Sequence, residues 1–156
     1  KPSCLHRHRG FESHSLRQFN MNEDFKKIFK EVPEFLSILG FKKAYYDEDQ
    51  DSWNVEFLPT KSLTHSDGTI LQGGFVTGMM DASMAQFIMY QSKGKDLPLT
   101  LDIDVKFLKP CSPNIKVISS STIVKKGKSI AFTRCELHQN DSLIAVSSAT
   151  NKLVNL

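Results

Sequence analysis

The chain has 156 residues, 40% of them hydrophobic, and its 20 basic and 17 acidic side chains leave a net charge of +3. This length fits one domain, and eleven Phe among the apolar residues supply enough material for one core. So small a positive surplus gives no reason to expect binding to nucleic acid, and no apolar run approaches the ~18 residues that a membrane span needs.

The cysteines indicate a reduced protein. Cys4, Cys111 and Cys135 form no C-x-x-C pair and are odd in number, which is untypical of a disulfide scaffold or a metal finger. The N-terminus also lacks the apolar stretch of a secretory signal. We therefore expect a cytoplasmic protein with no metal site and no contact with a membrane.

Residues 1–20 are predicted to form a leader outside the fold. They combine Arg, His and Ser without a sustained apolar period, contain the vector-like stretch RGFESHSLRQ, and precede Met21, which is a plausible start. Cys4, His6, His8 and His14 could suggest a metal cluster, but a disordered or engineered tail is the preferred interpretation. Residues 21–156 are then expected to form a single domain.

The next residues predict helices and then strands. Residues 22–40 carry apolar side chains at helical spacing, interrupted by Pro33 and ended by Gly40, which indicates two short amphipathic helices. Residues 41–59 read as two extended runs around an acidic turn, in which Trp53, Val55 and Phe57 alternate with polar neighbours.

The segment from Gly73 to about Gln91 is the only long internal helix candidate. One narrow face of this helix combines small residues with one acid: Gly74, Gly78, Asp81 and Ala85. A stripe of small residues lets another backbone or a slender ligand approach closely. An aspartate in so apolar a helix is costly unless it is paired or functional, so Asp81 is either a catalytic group or a structural acid that binds a neighbouring loop or strand.

Three long strands follow. Residues 99–110 alternate in polarity and end at Pro110, which predicts Leu99, Leu101, Ile103, Val105 and Phe107 facing inward and Thr100, Asp102, Asp104 and Lys106 facing outward. Residues 114–153 predict a meander with hairpin turns at 125–128 and 139–142. One helix wrapped by long antiparallel strands is an α+β architecture.

The stretches H-x-x-G-T-I-L-Q-G-G-F-V-T-G-M-M-D, L-T-L-D-I-D-V-K-F-L-K-P and, later, G-K-S-I-A-F resemble the hotdog-fold acyl-CoA thioesterases of the phenylacetate-degradation type. The likeness covers roughly residues 41–154. It implies a long helix inside a curled antiparallel sheet and edge-to-edge pairing of two such units. It also implies a homodimer or a tetramer of two dimers, with active sites at the dimer interface.

Thioester hydrolysis needs donors for the carbonyl oxygen and a group that handles a proton or attacks carbon. Gly73 and Gly74 open the helix, so their N–H groups are expected to lack intrahelical partners and to form an oxyanion site, although they could serve only a tight turn. Asp81 could act as general base, the weakly preferred role, or as nucleophile. Because it lies about 12 Å along the axis from Gly73, cooperation between the two requires different subunits.

Other residues are weaker candidates. Gln72 could orient the carbonyl or water but cannot move a proton at neutral pH. His65 and Ser66 fall near a position where relatives carry a water-positioning Asn, and His65 could instead be a surface or loop-ordering residue. Thr100 matches a Ser/Thr position that assists at the thioester in some relatives, although its local pattern is that of an outward strand residue.

Coenzyme A would need cations for its phosphates. Lys125, Lys126, Lys128 and Arg134 lie around one predicted hairpin, where they could bind phosphates or be ordinary solvated residues. The expected function is hydrolysis of a medium-chain or aromatic acyl-CoA, with coenzyme A as part of the substrate and no separate cofactor. The alternative functions are a non-catalytic acyl-CoA binding module on the same fold and, ranked lowest, a hydratase or dehydratase.

Overall fold

The structure is a computed structural model that describes residues 23–156, so the interpretation of residues 1–20 as a leader lies outside it. The helices are α1 (Glu23–Lys26), α2 (Glu34–Ile38) and α3 (Gly73–Gln91), and one 3-10 turn spans Lys61–Leu63. The strands are β1 (Phe41–Asp47), β2 (Ser52–Phe57), β3 (Asp96–Phe107), β4 (Val117–Lys126), β5 (Ile130–Gln139) and β6 (Ser142–Asn155).

The six strands form one antiparallel sheet in the order β1-β2-β4-β5-β6-β3. Helix α3 packs on one face of the sheet and buries Val76, Met80 and Phe87, with Trp53 and Leu137 of the sheet also fully or almost fully buried. The prediction of one long helix wrapped by an antiparallel sheet is therefore confirmed. Strands β1 and β3 are the two edges.

The short helices cover the core as predicted. Phe25 of α1 and Leu36 of α2 are fully buried, and Pro33 stands at the N-cap of α2. The chain then turns at Gly40, where φ is +84° and an added Cβ would collide with the carbonyl of Leu58. Only glycine fits this position, because L side chains rarely adopt such a φ and the space is filled.

Both predicted hairpins of the meander are present. Strands β4 and β5 are joined by residues 127–129, and β5 and β6 by Asn140 and Asp141. These two residues have φ values of 50° and 59°. Positive φ at both central positions is the requirement of a type I′ turn, which matches the twist of the flanking strands.

Strand β3 differs from its prediction by one residue. Thr100 pairs with Asn151 and Asp102 pairs with Thr150, so Leu101 is an extra residue at a β-bulge. A bulge reverses the alternation of faces, because one strand gains a residue that the other lacks. Ile103 and Val105 face the helix as predicted, but the predicted inward orientation of Leu99 and Leu101, which are 47% and 60% exposed, is wrong.

The same bulge corrects Thr100. Its predicted outward orientation is wrong, because the side chain lies on the helix side of the sheet and contacts Asp81. The bulge in β3 therefore brings Thr100 to Asp81 of α3.

Within residues 23–156, no helix has both the length and the apolar character needed to cross a membrane.

Candidate functional site

Helix α3 begins at an N-cap made by a side chain. Gln72 has an extended backbone, and its Oε1 accepts a hydrogen bond from the N–H of Gly74 at 2.7 Å. The Gly74 N–H has no intrahelical partner, as expected, but the cap engages it, so it is not a free donor for the predicted oxyanion site. The Gly73 N–H has no acceptor among the described residues, so it is the donor that the helix start leaves available.

A cavity of about 390 Å³ lies beside this helix start. Gly73, His65 and Phe107 line it together with apolar residues, chiefly Ile70, Val76, Leu108 and Ile144. The loop that carries His65 is closed at its base by a bridge between Thr64 and Leu71. Ser66 is exposed in the same loop and is not among the lining residues. The helix start, its free N–H and an apolar space therefore adjoin.

Cys111 also lines this cavity but is not a candidate nucleophile. Burial raises the pKa of its thiol to about 11, so the group is protonated at neutral pH. The thiolate, not the thiol, is the nucleophile.

Asp81 of α3 and Thr100 of β3 meet farther along the helix, away from its start. Thr100 Oγ1 donates a hydrogen bond to Asp81 Oδ1 at 2.8 Å, whereas Asp81 Oδ2 accepts none from the described residues. Asp81 is half-buried, so its free oxygen is both oriented and accessible. A carboxylate held through one oxygen and open at the other can accept a proton from a bound water or attack a carbonyl carbon.

Thr100 has a second polar neighbour below it. Its Oγ1 lies 3.3 Å from Asn151 Oδ1, and Asn151 Nδ2 lies 3.3 Å from Thr133 Oγ1. Asn151 is fully buried and Thr133 is 1% exposed. The sequence analysis missed Asn151. Its signal was a polar residue at an inward position of β6, in step with Ala145, Ala149 and Leu153.

The four predicted phosphate-binding cations do not form one cluster. Lys126 Nζ pairs with Asp96 Oδ2 at 2.7 Å, which neutralises it. Lys125 and Lys128 are exposed at the β4–β5 hairpin, at the end of the sheet where β3 begins. Arg134 lies on the opposite sheet face from α3 because it alternates with the buried Thr133 and Cys135, and it lines a polar depression with Gln50 and Glu136 there.

The structure thus brings the predicted residues together in two groups within one chain. The first contains His65, Gln72, Gly73 and Gly74, and the second contains Asp81 and Thr100. About 12 Å of helix separates Gly73 from Asp81. Within residues 23–156, no group of three or more His, Cys, Asp or Glu side chains is arranged to hold a metal ion.

Comparison with known proteins supports the sequence resemblance. Residues 62–152, which make up more than half of the chain, match the acyl-CoA thioesterase N-terminal domain family. No curated protein matches the sequence.

Solved structures share the fold. A phenylacetic acid degradation-related protein from Ralstonia eutropha aligns with TM-score 0.71 and 21% identity over 78% of this chain and 91% of its own. A thioesterase from Haemophilus influenzae aligns with TM-score 0.70 and 20% identity over 78% and 82%. A hypothetical thioesterase from Streptococcus pneumoniae with coenzyme A aligns with TM-score 0.61 and 11% identity over 67% and 79%. The chain therefore belongs to the acyl-CoA thioesterase N-terminal domain family and is a thioester hydrolase with the hotdog fold.

Proposed function

We propose that this protein hydrolyses a medium-chain or aromatic acyl-CoA to the free acid and coenzyme A, with Asp81 as the group that activates water. The observation that carries the proposal is the Asp81 carboxylate, which Thr100 holds through Oδ1 while Oδ2 stays free. In a family of acyl-CoA thioesterases, an oriented acid on the central helix is the residue best suited to the chemistry.

The open edge of β3 supports a site shared by two copies. Within residues 23–156, strand β3 pairs only with β6, and its exposed apolar side chains lie along and just beyond that edge: Leu99, Leu101, Phe107 and Leu108. An unpaired apolar edge invites pairing with another chain. An antiparallel pair of β3 strands around a two-fold axis forms one continuous sheet.

The position of the axis determines which residues meet. With the axis at Asp104, Ile103 of one copy lies opposite Val105 of the other, and the extra residue Leu101 brings Thr100 of one copy opposite Phe107 of the other. Thr100 binds Asp81, and the Phe107 ring lies against Gly73 of its own chain. Such a homodimer, alone or paired into a tetramer, places the acid of one copy beside the helix start of the other. This resolves the separation of about 12 Å within one chain.

The proposed reaction uses these two groups. The Gly73 N–H, at the positive end of α3, donates to the thioester oxygen, and the Gln72 cap keeps the helix start rigid. Asp81 Oδ2 takes a proton from a water molecule, and the oxygen of that water bonds to the thioester carbonyl carbon. The C–S bond of the tetrahedral intermediate then breaks, and the thiolate of coenzyme A receives the proton. If Asp81 were the nucleophile, an anhydride with the enzyme would form first, and water would cleave it.

The cavity beside Gly73 supports the substrate class. Its volume of about 390 Å³ is lined largely by apolar groups, and His65 and Lys109 lie among the lining residues. A cavity of roughly 150 Å³ is enough for one benzene ring. A medium-chain or aromatic acyl group therefore fits the space.

Charge supports the location of the rest of the substrate. Lys125 and Lys128 extend from the hairpin at the Asp96 end of the sheet and have no acidic partner among the described residues. We assign them to the phosphates of coenzyme A, which is substrate and not a separate cofactor. The cytoplasm, where acyl-CoA thioesters occur with reduced thiols, is the proposed location.

The direct test measures coenzyme A release from short, medium, long and aromatic acyl-CoAs. Asp81→Asn is expected to lower kcat by about 10²-fold or more, because it removes the proton acceptor and keeps the shape. Asp49→Asn, at an exposed carboxylate in the turn between β1 and β2, is the matched control and should retain turnover. Wild-type turnover in Asp81→Asn would refute the assignment, and binding without release would identify a binding module.

Mixed dimers test the shared site. Asp81→Asn and Gly73→Val chains are each expected to be inactive alone. Co-refolded, they should recover up to about a quarter of wild-type activity, because half of the dimers are mixed and each has one intact site. No recovery from demonstrably mixed dimers, or an active monomer in sedimentation, would contradict a site between subunits.

A further inference from the structure

We infer that Asn151 is a positioning residue that aims the Thr100 hydroxyl at the candidate catalytic acid Asp81. The inference rests on the proposed function and adds to it a residue that is buried beneath the site and cannot touch the substrate. Its starting point is a cost: a fully buried side-chain amide loses its hydration, so it must be matched by hydrogen bonds.

The Asn151 amide lies on β6, between the neighbouring strands β3 and β5. Among the described residues, its side-chain partners are two threonine hydroxyls, Thr100 on β3 and Thr133 on β5. Thr100 is also the direct cross-strand partner of Asn151 in the β3–β6 ladder. The Leu101 bulge, immediately after that pair, keeps Thr100 on the helix side of the sheet. The amide therefore lies directly beneath the hydroxyl that binds Asp81.

The Thr100 hydroxyl has two neighbouring acceptors, Asp81 Oδ1 and Asn151 Oδ1. A threonine hydroxyl has one proton, and an ionised carboxylate is a stronger acceptor than an amide oxygen. When Asp81 is ionised, Thr100 donates to Asp81 Oδ1 and has only lone pairs for Asn151. The Asn151 Oδ1 atom, 3.3 Å from Thr100 Oγ1, is then an acceptor that faces another acceptor with no proton between them. Rotation of the amide by 180° exchanges its oxygen and nitrogen without moving another atom, and this choice is assigned from the network.

Rotation of the amide reverses the direction of both hydrogen bonds to the threonines. Asn151 Nδ2 then donates to Thr100 Oγ1, Thr100 donates to Asp81, and the Thr133 hydroxyl, which lies 3.4 Å from the Ala149 carbonyl oxygen, turns to donate to Asn151 Oδ1. The chain of donors then has one direction, from the buried amide outward to the carboxylate. Hydrogen bonds in such a chain polarise one another, which strengthens the last donor. The consequence is that Thr100 cannot turn away from Asp81 without leaving the amide unpaired.

The test compares substitutions at both ends of this chain. Asn151→Leu keeps the approximate volume and removes the donor, and we expect kcat to fall about tenfold while KM stays within about twofold. In a Thr100→Val background, which lacks the hydroxyl, the same substitution should have no further effect on kcat. Non-additivity of this kind reports that one residue acts through the other.

Two further variants separate positioning from folding. Asn54→Leu is the matched control, because Asn54 is 8% exposed, lies on the distant β2, and among the described residues its side-chain amide bonds only Ser52. It should retain kcat. Asn151→Asp keeps the shape but, when ionised, replaces the amide donor with a second acceptor, so it should draw the Thr100 proton away from Asp81. If Asn151 were purely structural, kcat per folded molecule would be unchanged in this variant. If Asn151 positions Thr100, kcat per folded molecule falls.

A crystal structure of Asn151→Leu gives a readout that does not depend on turnover. Thr100 Oγ1 is expected to leave hydrogen-bond distance of Asp81 Oδ1 in the variant. If Thr100 stays on Asp81, or if the losses of Asn151→Leu and Thr100→Val multiply, the inference is wrong. If the wild-type protein shows no turnover, the proposed function fails, and the position of Thr100 still decides the role of Asn151.

Discussion

The ring of Phe107 lies against Gly73 at the start of α3, so that a Cβ added to Gly73 would stand 3.1 Å from Phe107 Cζ. This contact joins the helix start to the end of the edge strand. It also leaves the half-exposed ring beside the Gly73 N–H, which has no acceptor among residues 23–156. A side chain at position 73 would therefore push the ring or block the approach to that N–H.

Gly73→Ala is expected to lower kcat/KM for acyl-CoA hydrolysis by about tenfold with little loss of stability. The backbone of Gly73 is not in the left-handed region, so alanine is not strained there. Steady-state kinetics and thermal unfolding measure the two effects. Gly127→Ala in the exposed β4–β5 hairpin is the control, and a similar loss there would contradict a local effect at the helix start.

Gly40 and Gly94 form a matched pair for measuring the cost of a collision. Both have positive φ, at +84° and +77°, but an added Cβ at Gly40 collides with the Leu58 carbonyl and at Gly94 meets nothing within 4 Å. Gly94→Ala should cost about 1 kcal/mol of unfolding free energy from backbone strain, and Gly40→Ala at least 1–2 kcal/mol more, as an order-of-magnitude estimate. Urea unfolding gives both values. Equal costs would show that the carbonyl moves freely.

Trp53 and Gln86 form a buried hydrogen bond between the sheet and α3. The indole Nε1 donates to Gln86 Oε1 at 3.0 Å, and Gln86 Nε2 has no partner in the part of the chain that the structure describes. Gln86→Leu leaves the indole N–H unsatisfied and should cost about 1–3 kcal/mol, measured by urea unfolding with circular dichroism. Adding Trp53→Phe should then cost less than in the wild-type background. Additive losses would mean that the bond contributes nothing beyond packing.

The buried cysteines predict how stability depends on pH. Burial raises the pKa of the Cys111 and Cys135 thiols from 9.0 to about 11. The folded chain therefore holds these protons more tightly than the unfolded chain, so the associated stability is full below pH 9 and is lost as pH rises toward 11. Unfolding free energy should fall across this range, and less so in Cys135→Ala. An unchanged alkaline slope in that variant would contradict the raised pKa.

The long helix and the order of the strands follow from local pattern. The span from 73 to about 91 was predictable because a largely apolar segment of this length suits a buried helix and is too long for a strand, and turn residues separate strands that alternate in polarity. Asp81 was recognisable because a lone carboxylate in an apolar helix has a cost that the sequence displays directly.

Tertiary structure alone decided how these residues meet. The direction of Thr100 depends on one extra residue at Leu101, which exists only relative to the register of β6. The engagement of the Gly74 N–H by Gln72 depends on a side-chain rotamer, and the pairing of Lys126 with Asp96 depends on two strands remote in sequence. Periodicity reports which residues a segment buries. Which atoms lie within 3 Å of one another depends on register and rotamer, and those are set when the sheet and the helix pack together.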